Sequence, residues 1–189
     1  TPGSFQRGEL EIETMLKQLE TGVNVFRTSS CGRVLDAVSF ILGICSKRTY
    51  EGEPAMKLEA VGRNGNPRAA GIHPKLRTIN GVEVLDTSEL ILDVLDAVKR
   101  GISRADVAAG AQWALADGLA QIAARVAESD GIKPVGVSGG VFCNDLMTAA
   151  ARERINSEGL KFIMHKEVPP GDGGISLGQV YVAAKTIRR

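Results

Sequence analysis

The chain has 189 residues, 43% of them hydrophobic and 24% charged, with a formal net charge of +1. That length and balance suit one packed domain, or one domain with a small appendage, and exclude disorder. Near-neutral charge without a long charge block excludes bulk recruitment of nucleic acid or an acidic membrane, and no apolar stretch reaches membrane-spanning length.

The elements read in order as follows. Glu9 to Glu20 carries Ile12, Met15, Leu16 and Leu19 at helical spacing, closed by Gly22. Val25 to Arg27 is a short extended piece, and Ser29 or Ser30 can cap the next helix, with Val34, Leu35, Val38, Ile41 and Leu42 inward and an end near Gly43. A third helix begins at Pro54 and runs to about Val61. Arg63 to Pro74 is loop, rich in Asn-Gly, Asn-Pro and His-Pro pairs. Lys75 to Thr78 and Val82 to Leu85, around Asn80-Gly81, form a hairpin. A helix from Ser88 ends before Gly101. The run Ser103-Arg104-Ala105-Asp106 resembles a capping box and opens the longest helix, to about Glu128, with Val107, Ala111, Leu115, Ile122 and Val126 inward. Lys133 to Val137 is a short buried strand, Asn144 to Ser157 a helix stopped by Gly159, and Leu160, Phe162 and Met164 alternate as a strand. Pro169-Pro170 turns the chain into a final helix, roughly Ile175 to Thr186. Strands separated by long helices make the fold α/β and helix-rich.

Two glycine loops carry the chemistry. In Val137-Ser138-Gly139-Gly140-Val141, followed by Asn144, a strand ends, two glycines turn the chain and a helix starts. Glycine admits a ligand to the backbone, and free amides at a helix start attract a phosphate or another anion. A tight strand-to-helix turn uses glycine as well, so both readings stand, and the Lys-Ser/Thr of a P-loop is missing. In Gly171-Asp172-Gly173-Gly174, Asp172 either caps the following helix or offers its carboxylate to a metal or a metal-bound phosphate; three glycines around one Asp exceed what capping needs. Gly32 and Asp36, four apart in Ser29-Ser30-Cys31-Gly32-Arg33, share a helical face that a ribose or base could approach; an N-capped amphipathic helix with a solvated Asp is the simpler reading of the spacing. Glu51 and Glu53 flank Gly52 before a helix, the usual place for dipole partners. His73 and His165 lack a second ligand at metal spacing. Cys31, Cys45 and Cys143 are odd in number with no CxxC pair, which argues against a disulfide framework or structural zinc and for a reducing, cytoplasmic compartment; Cys143 reads as a small buried residue. The first residues, Thr1-Pro2-Gly3, lack Met and do not form a signal peptide, as expected of a piece of a longer chain.

Taken together and in order, Ser29 to Ala37, Thr49 to Glu59, Val137 to Asn144 and His165 to Gln179 resemble the C-terminal part of the HypF-type carbamoyltransferases of nickel–iron hydrogenase maturation. Cys31, Gly171 and Cys143 depart from the family's usual residues. The resemblance runs from about Thr28 to the C-terminus and divides the chain into an N-terminal helix and linker, residues 1–27, and a Kae1/TsaD-like lobe, residues 28–189. It implies an actin-like ATPase (ribonuclease H-like) fold with the nucleotide between two lobes. It also implies that Gly32 and Asp36 approach the ribose or base, that Ser138, Gly139, Gly140 and Asn144 line the nucleotide pocket, and that Asp172 is a metal ligand. The loops would then be opposite walls of one cleft, whose paired metal-binding histidines lie on a preceding lobe outside this chain.

The reaction so implied is transfer of a carbamoyl group from carbamoyl-adenylate, made from ATP and carbamoyl phosphate, to the C-terminal cysteine of HypE. Its cofactors are ATP or the adenylate and a divalent metal, whether iron, zinc or magnesium, and its partners are a HypE-like acceptor, the missing lobe and the adenylate-forming domains. A non-catalytic nucleotide- or partner-binding module is the alternative. A tRNA threonylcarbamoyladenosine transferase lobe ranks third, because Tyr50 to Glu53 and Asp172 to Gln179 match the hydrogenase branch better.

Overall fold

The computed structural model describes residues 5 and 7–187. Seven helices and four strands follow in the order α1 (Glu9–Thr21), α2 (Cys31–Ile41), α3 (Glu53–Gly62), β1 (Leu76–Ile79), β2 (Val82–Leu85), α4 (Thr87–Lys99), α5 (Arg104–Ser129), β3 (Pro134–Val137), α6 (Asp145–Ser157), β4 (Lys161–Met164) and α7 (Ile175–Ile187), among the described residues. Single 3-10 turns, Gly140–Cys143 and Asp172–Gly174, precede α6 and α7.

The 26-residue α5 is the axis. It touches α2, α3, α4, α6, β2 and β3. Its sequence makes this possible: Ala108, Ala109, Gly110, Ala111, Ala114, Ala116, Gly118, Ala120, Ala124 and Ala127 are all buried, so neighbouring elements approach its backbone on several sides. Around it, Leu35 and Val38 of α2, Leu58 of α3, Leu90 and Val94 of α4, Leu115 of α5 and Met147 of α6 are at most 2% exposed and form one core. Each such side chain contributes roughly 1.5–3 kcal/mol by leaving water. A smaller cluster of Ala120, Ala151 and Ile155 seats the parallel β3–β4 pair, with Val135, Val137 and Phe162 over it.

The strands form two two-stranded sheets. β1 and β2 are the expected antiparallel hairpin, closed by Asn80 and Gly81 with φ of 51° and 80°. β3 and β4 run parallel from Pro134↔Lys161 to Val137↔Met164, with α6 as the crossover.

Caps hold the long helices. Asp86 accepts from the amides of Ser88 (3.0 Å) and Glu89 (3.2 Å) at the start of α4 and pairs with Arg77. Ser103 caps α5 by accepting from the Asp106 amide at 3.1 Å. The Asp106 carboxylate does not complete the reciprocal box; it accepts from the Asn66 amide at 2.7 Å and from the Ser103 hydroxyl at 2.7 Å. Those bonds hold its pKa below the ordinary value.

Several local expectations fail where a partner is missing. Residues 25–27 form no strand. Ser30 stands before α2 without a side-chain capping bond. β3 is not buried: it alternates exposed and half-buried, because one face meets α5 and no element among the described residues covers the other. Val126 is 53% exposed, since the far half of α5 packs through Ala120, Ala124 and Ala127 instead. The apolar stripe of α1 is likewise open, with Met15, Leu16 and Leu19 exposed, and every residue of α7 is exposed.

The loop before β1 lies directly on the first turn of α5. A Cβ built on Gly65 would fall 2.1 Å from the Ala105 carbonyl oxygen and 2.8 Å from the Asp106 nitrogen, both backbone atoms that cannot step aside cheaply. Gly65→Ala is therefore expected to cost about 1–3 kcal/mol in urea unfolding. Gly178→Ala, at a site with nothing within 4 Å, is expected to leave stability unchanged or slightly raised.

Candidate functional site

Both glycine loops leave the C-terminal ends of the parallel strands, the edge where open α/β sheets bind ligands. They touch. The Gly139 amide donates to the Pro170 carbonyl at 2.7 Å, and the Ser138 hydroxyl donates to the same oxygen at 3.2 Å. A Cβ on Gly171 would lie 3.4 Å from the Gly140 Cα. The loops thus stand side by side as one wall, rather than as the opposite walls expected from the sequence.

Gly139 adopts φ 101° and ψ 158°, a region that side chains rarely enter, and this turns the backbone out of β3. A Cβ on Gly140 would meet nothing within 4 Å, so the loop face is open to a ligand. On the second loop, Asp172 is exposed in the first position of its 3-10 turn, where Gly171 holds the capping position and no side chain caps. Its carboxylate makes no capping hydrogen bond at this turn. No group of three or more His, Cys, Asp or Glu side chains able to hold a metal exists among the described residues, so a metal on Asp172 would need further ligands from outside them.

Asn144 is placed differently from the other candidates. It is buried, its Oδ1 accepts from the Met147 amide at 3.1 Å, and its Nδ2 donates to Gln112 Oε1 at 2.7 Å. Gln112, fully buried, donates in turn to the carbonyls of Ala108 (2.8 Å) and Leu58 (3.3 Å). Both amide atoms of Asn144 have protein partners. The side chain here anchors the start of α6, and through it the Gly140–Cys143 turn, to α5 and α3. Thr148 adds a bond from its hydroxyl to the Phe142 carbonyl at 3.1 Å.

Gly32 and Asp36 sit at the start of α2, which packs on α3, α4 and α5. Arg33 pairs with Asp36 Oδ2 at 2.8 Å, whereas Asp36 Oδ1 is buried with no hydrogen-bond partner. A buried acceptor left unmade is costly.

Two further features were not anticipated. The His165 Nε2 lies 3.4 Å from the Ser138 hydroxyl, so a third side chain borders the loops from the end of β4. Gln112 was legible only as a lone amide in an alanine-rich run. Other candidates resolve toward structure. Glu53 is buried beneath the Thr49 amide (2.5 Å) and hydroxyl (2.8 Å) and pairs with Lys57 at 2.7 Å. Cys143 is exposed, contrary to the expected small buried residue, because the turn points it away from the core; Cys45 is the buried thiol. Burial pushes the Cys31 thiol up.

A family model described as "Carbamoyltransferase, Kae1-like Domain, second subdomain" matches residues 3–179. The Methanocaldococcus jannaschii protein named probable carbamoyltransferase HypF is 40% identical over 171 residues, 90% of this chain and 22% of that protein. A Cupriavidus necator carbamoyltransferase HypF homolog is 31% identical over 186 residues, 94% of this chain and 46% of that protein. The chain therefore spans between about a fifth and a half of these relatives' length. Among solved structures, HypF of T. kodakarensis superposes with a TM-score of 0.81 at 36% identity, over 95% of this chain and 23% of that one. A full-length HypF in a phosphate- and nucleotide-bound form gives 0.83 at 26%, again over 95% and 23%.

Two outcomes follow from the geometry. Asn144→Ala removes a cap and orphans the Gln112 oxygen, so it should lower stability by about 2–4 kcal/mol in denaturant unfolding. Lys57, then the Thr49 groups, hold the Glu53 carboxyl at about 2, below its ordinary 4.5. Its stabilising contribution is full above pH 4.5 and is lost as pH falls from there toward 2. Unfolding of Glu53→Gln should therefore be less sensitive to acid across that window than unfolding of the native chain.

Proposed function

Because the chain belongs to the HypF carbamoyltransferase family, as the second subdomain of its Kae1-like domain, we propose that it forms one wall of a nucleotide–metal cleft in which a carbamoyl group passes from carbamoyl-adenylate to the C-terminal cysteine of a HypE-like acceptor. The observation that carries this reading is the junction of the two glycine loops through the Pro170 carbonyl, which sets the open Gly140 backbone beside the uncommitted Asp172. The phosphate- and nucleotide-bound HypF of the same fold supports the choice of ligand.

In this reading Ser138, Gly139 and Gly140 face the phosphate of ATP or the adenylate, and backbone amides and the Ser138 hydroxyl stabilise its charge. Gly32 and Asp36 approach the ribose or base. Asn144 serves the pocket from behind, holding the loop through Gln112. Asp172 contributes one carboxylate to a divalent metal, whose other ligands come from the complementary lobe; when bound, that metal would act as a Lewis acid. The acceptor thiolate attacks the carbamoyl carbon, the bond from that carbon to the phosphate oxygen breaks, and AMP leaves with the electron pair. What this chain supplies is position and charge stabilisation. We assign residues 28–189 to the lobe and residues 1–27 to a helix and linker.

Reconstitution of carbamoyl transfer from this chain together with the complementary lobe, carbamoyl-adenylate and HypE tests the reading. Transfer supports it; nucleotide binding without transfer would favour a non-catalytic module, and threonylcarbamoyl transfer to tRNA would favour the related branch. Within the two-lobe assembly, Asp172→Ala is expected to abolish metal-dependent nucleotide binding without changing thermal unfolding, and unchanged metal affinity would refute the ligand role. Gly140→Val fills space that is open in the chain, so the fold should persist while nucleotide affinity drops at least about tenfold, or roughly 1.4 kcal/mol.

A further inference from the structure

Ser138 and His165 meet because of the register of the parallel sheet. Val137 stands opposite Met164 in its last rung, so Ser138 and His165 are the next residues in step beyond it. Paired positions of a parallel ladder put their side chains on one face. Exposure alternates along both strands: Val135, Val137, Phe162 and Met164 are half-buried, Gly136 and Ile163 exposed. Ser138 and His165 continue the exposed row, at the strand ends from which both glycine loops leave. A Cβ on Gly136, two residues back in that row, would meet nothing within 4 Å, and a shallow recess of about 410 Å³ lies open beside the pair.

The protons at this contact follow from simple accounting. A serine hydroxyl carries one hydrogen and two lone pairs. That hydrogen goes to the Pro170 carbonyl, 3.2 Å away. The His165 Nε2, at 3.4 Å, therefore faces a lone pair of the Ser138 Oγ and is the donor. An imidazole protonated on Nε2 meets this need whether neutral or charged. The bond is long, as such bonds often are in a site without its ligand. His165 is exposed, and among the described residues it makes no other hydrogen bond, so core packing does not account for its place. The Pro170 carbonyl also accepts from the Gly139 amide at 2.7 Å, and stays satisfied if the hydroxyl turns away.

We propose that His165 is a positioning residue for the nucleotide phosphate: by donating to the Ser138 Oγ it holds that oxygen in place while the hydroxyl hydrogen swings from the Pro170 carbonyl to a phosphate oxygen. This rests on the reading of the Ser138–Gly140 loop as the phosphate wall. His165 acts through Ser138 and leaves the phosphate to the hydroxyl and the backbone amides. Without the imidazole, the only bond that fixes the Ser138 side chain is the one it must break to meet the ligand, and the freed side chain can turn to its other staggered rotamers. Holding the donor ready beforehand removes that ordering cost from binding. The Gly139 amide keeps the two loops joined throughout.

The experiment is a double-mutant cycle in the two-lobe assembly, with ATP and magnesium as the probe and titration calorimetry as the readout. His165→Ala should weaken ATP binding about three- to tenfold, the worth of one hydrogen bond. His165→Gln, whose side-chain amide also donates, should recover most of that loss. In a Ser138→Ala background, His165→Ala should change the affinity less than about twofold, because the partner it acts through is gone. Both residues are exposed, so the thermal unfolding temperature should stay unchanged in every variant. An equal loss from His165→Ala in both backgrounds would mean that the imidazole acts on the ligand or metal directly, and would overturn the proposal while leaving the nucleotide reading standing. No loss from His165→Ala, or no recovery with Gln, would overturn it as well. A native assembly that binds no ATP would overturn the nucleotide reading and the proposal together.

Discussion

One carbonyl oxygen organises the site. Pro170, in the turn after β4, accepts from the Gly139 amide and the Ser138 hydroxyl in the turn after β3. Without that junction, the Ser138–Gly140 loop and the loop that carries Asp172 would be two unrelated surface turns. With it, their separation is fixed by the parallel register of β3 on β4, and that register is fixed by the crossover helix α6. The bond forms where Gly139 takes a backbone conformation that other residues avoid.

The junction is held in place from within. Asn144, Gln112 and the carbonyls of Ala108 and Leu58 form a buried chain of hydrogen bonds that runs from the start of α6 across α5 to α3. Each group in it is satisfied, which is the condition under which a buried polar network specifies one arrangement rather than weakening the core. The alanine-rich surface of α5 lets α3 and α6 come close enough for so short a relay. Packing on the axis helix and the position of the glycine loops are therefore one problem.

Much of this was legible in the sequence, for physical reasons. Strong periodicity and glycine stops located α1 to α7 within a residue or two, and Asn80-Gly81 announced the hairpin. The two loops stood out because glycines clustered around Ser138 and Asp172. Sequence spacing did not show that the loops share a wall, since that depends on a parallel pairing in space of two strands that α6 separates along the chain. Nor did it show the inward amide of Asn144, because a cap and a ligand donor use the same residue type. Val126 and β3 were misread as buried because hydrophobic pattern reports what a face is suited to meet. The relatives continue well beyond the matched region.

The account's central claim is that the joined glycine loops are the ligand wall of a cleft completed by another lobe. The most direct measurement is a crystal structure of the two-lobe domain with a non-transferable adenylate analogue and a divalent metal. The account predicts the phosphate within hydrogen-bond distance of the Ser138–Gly140 loop and the Asp172 carboxylate in the metal's coordination sphere. A phosphate bound away from that loop, with Asp172 outside the coordination sphere, would contradict it.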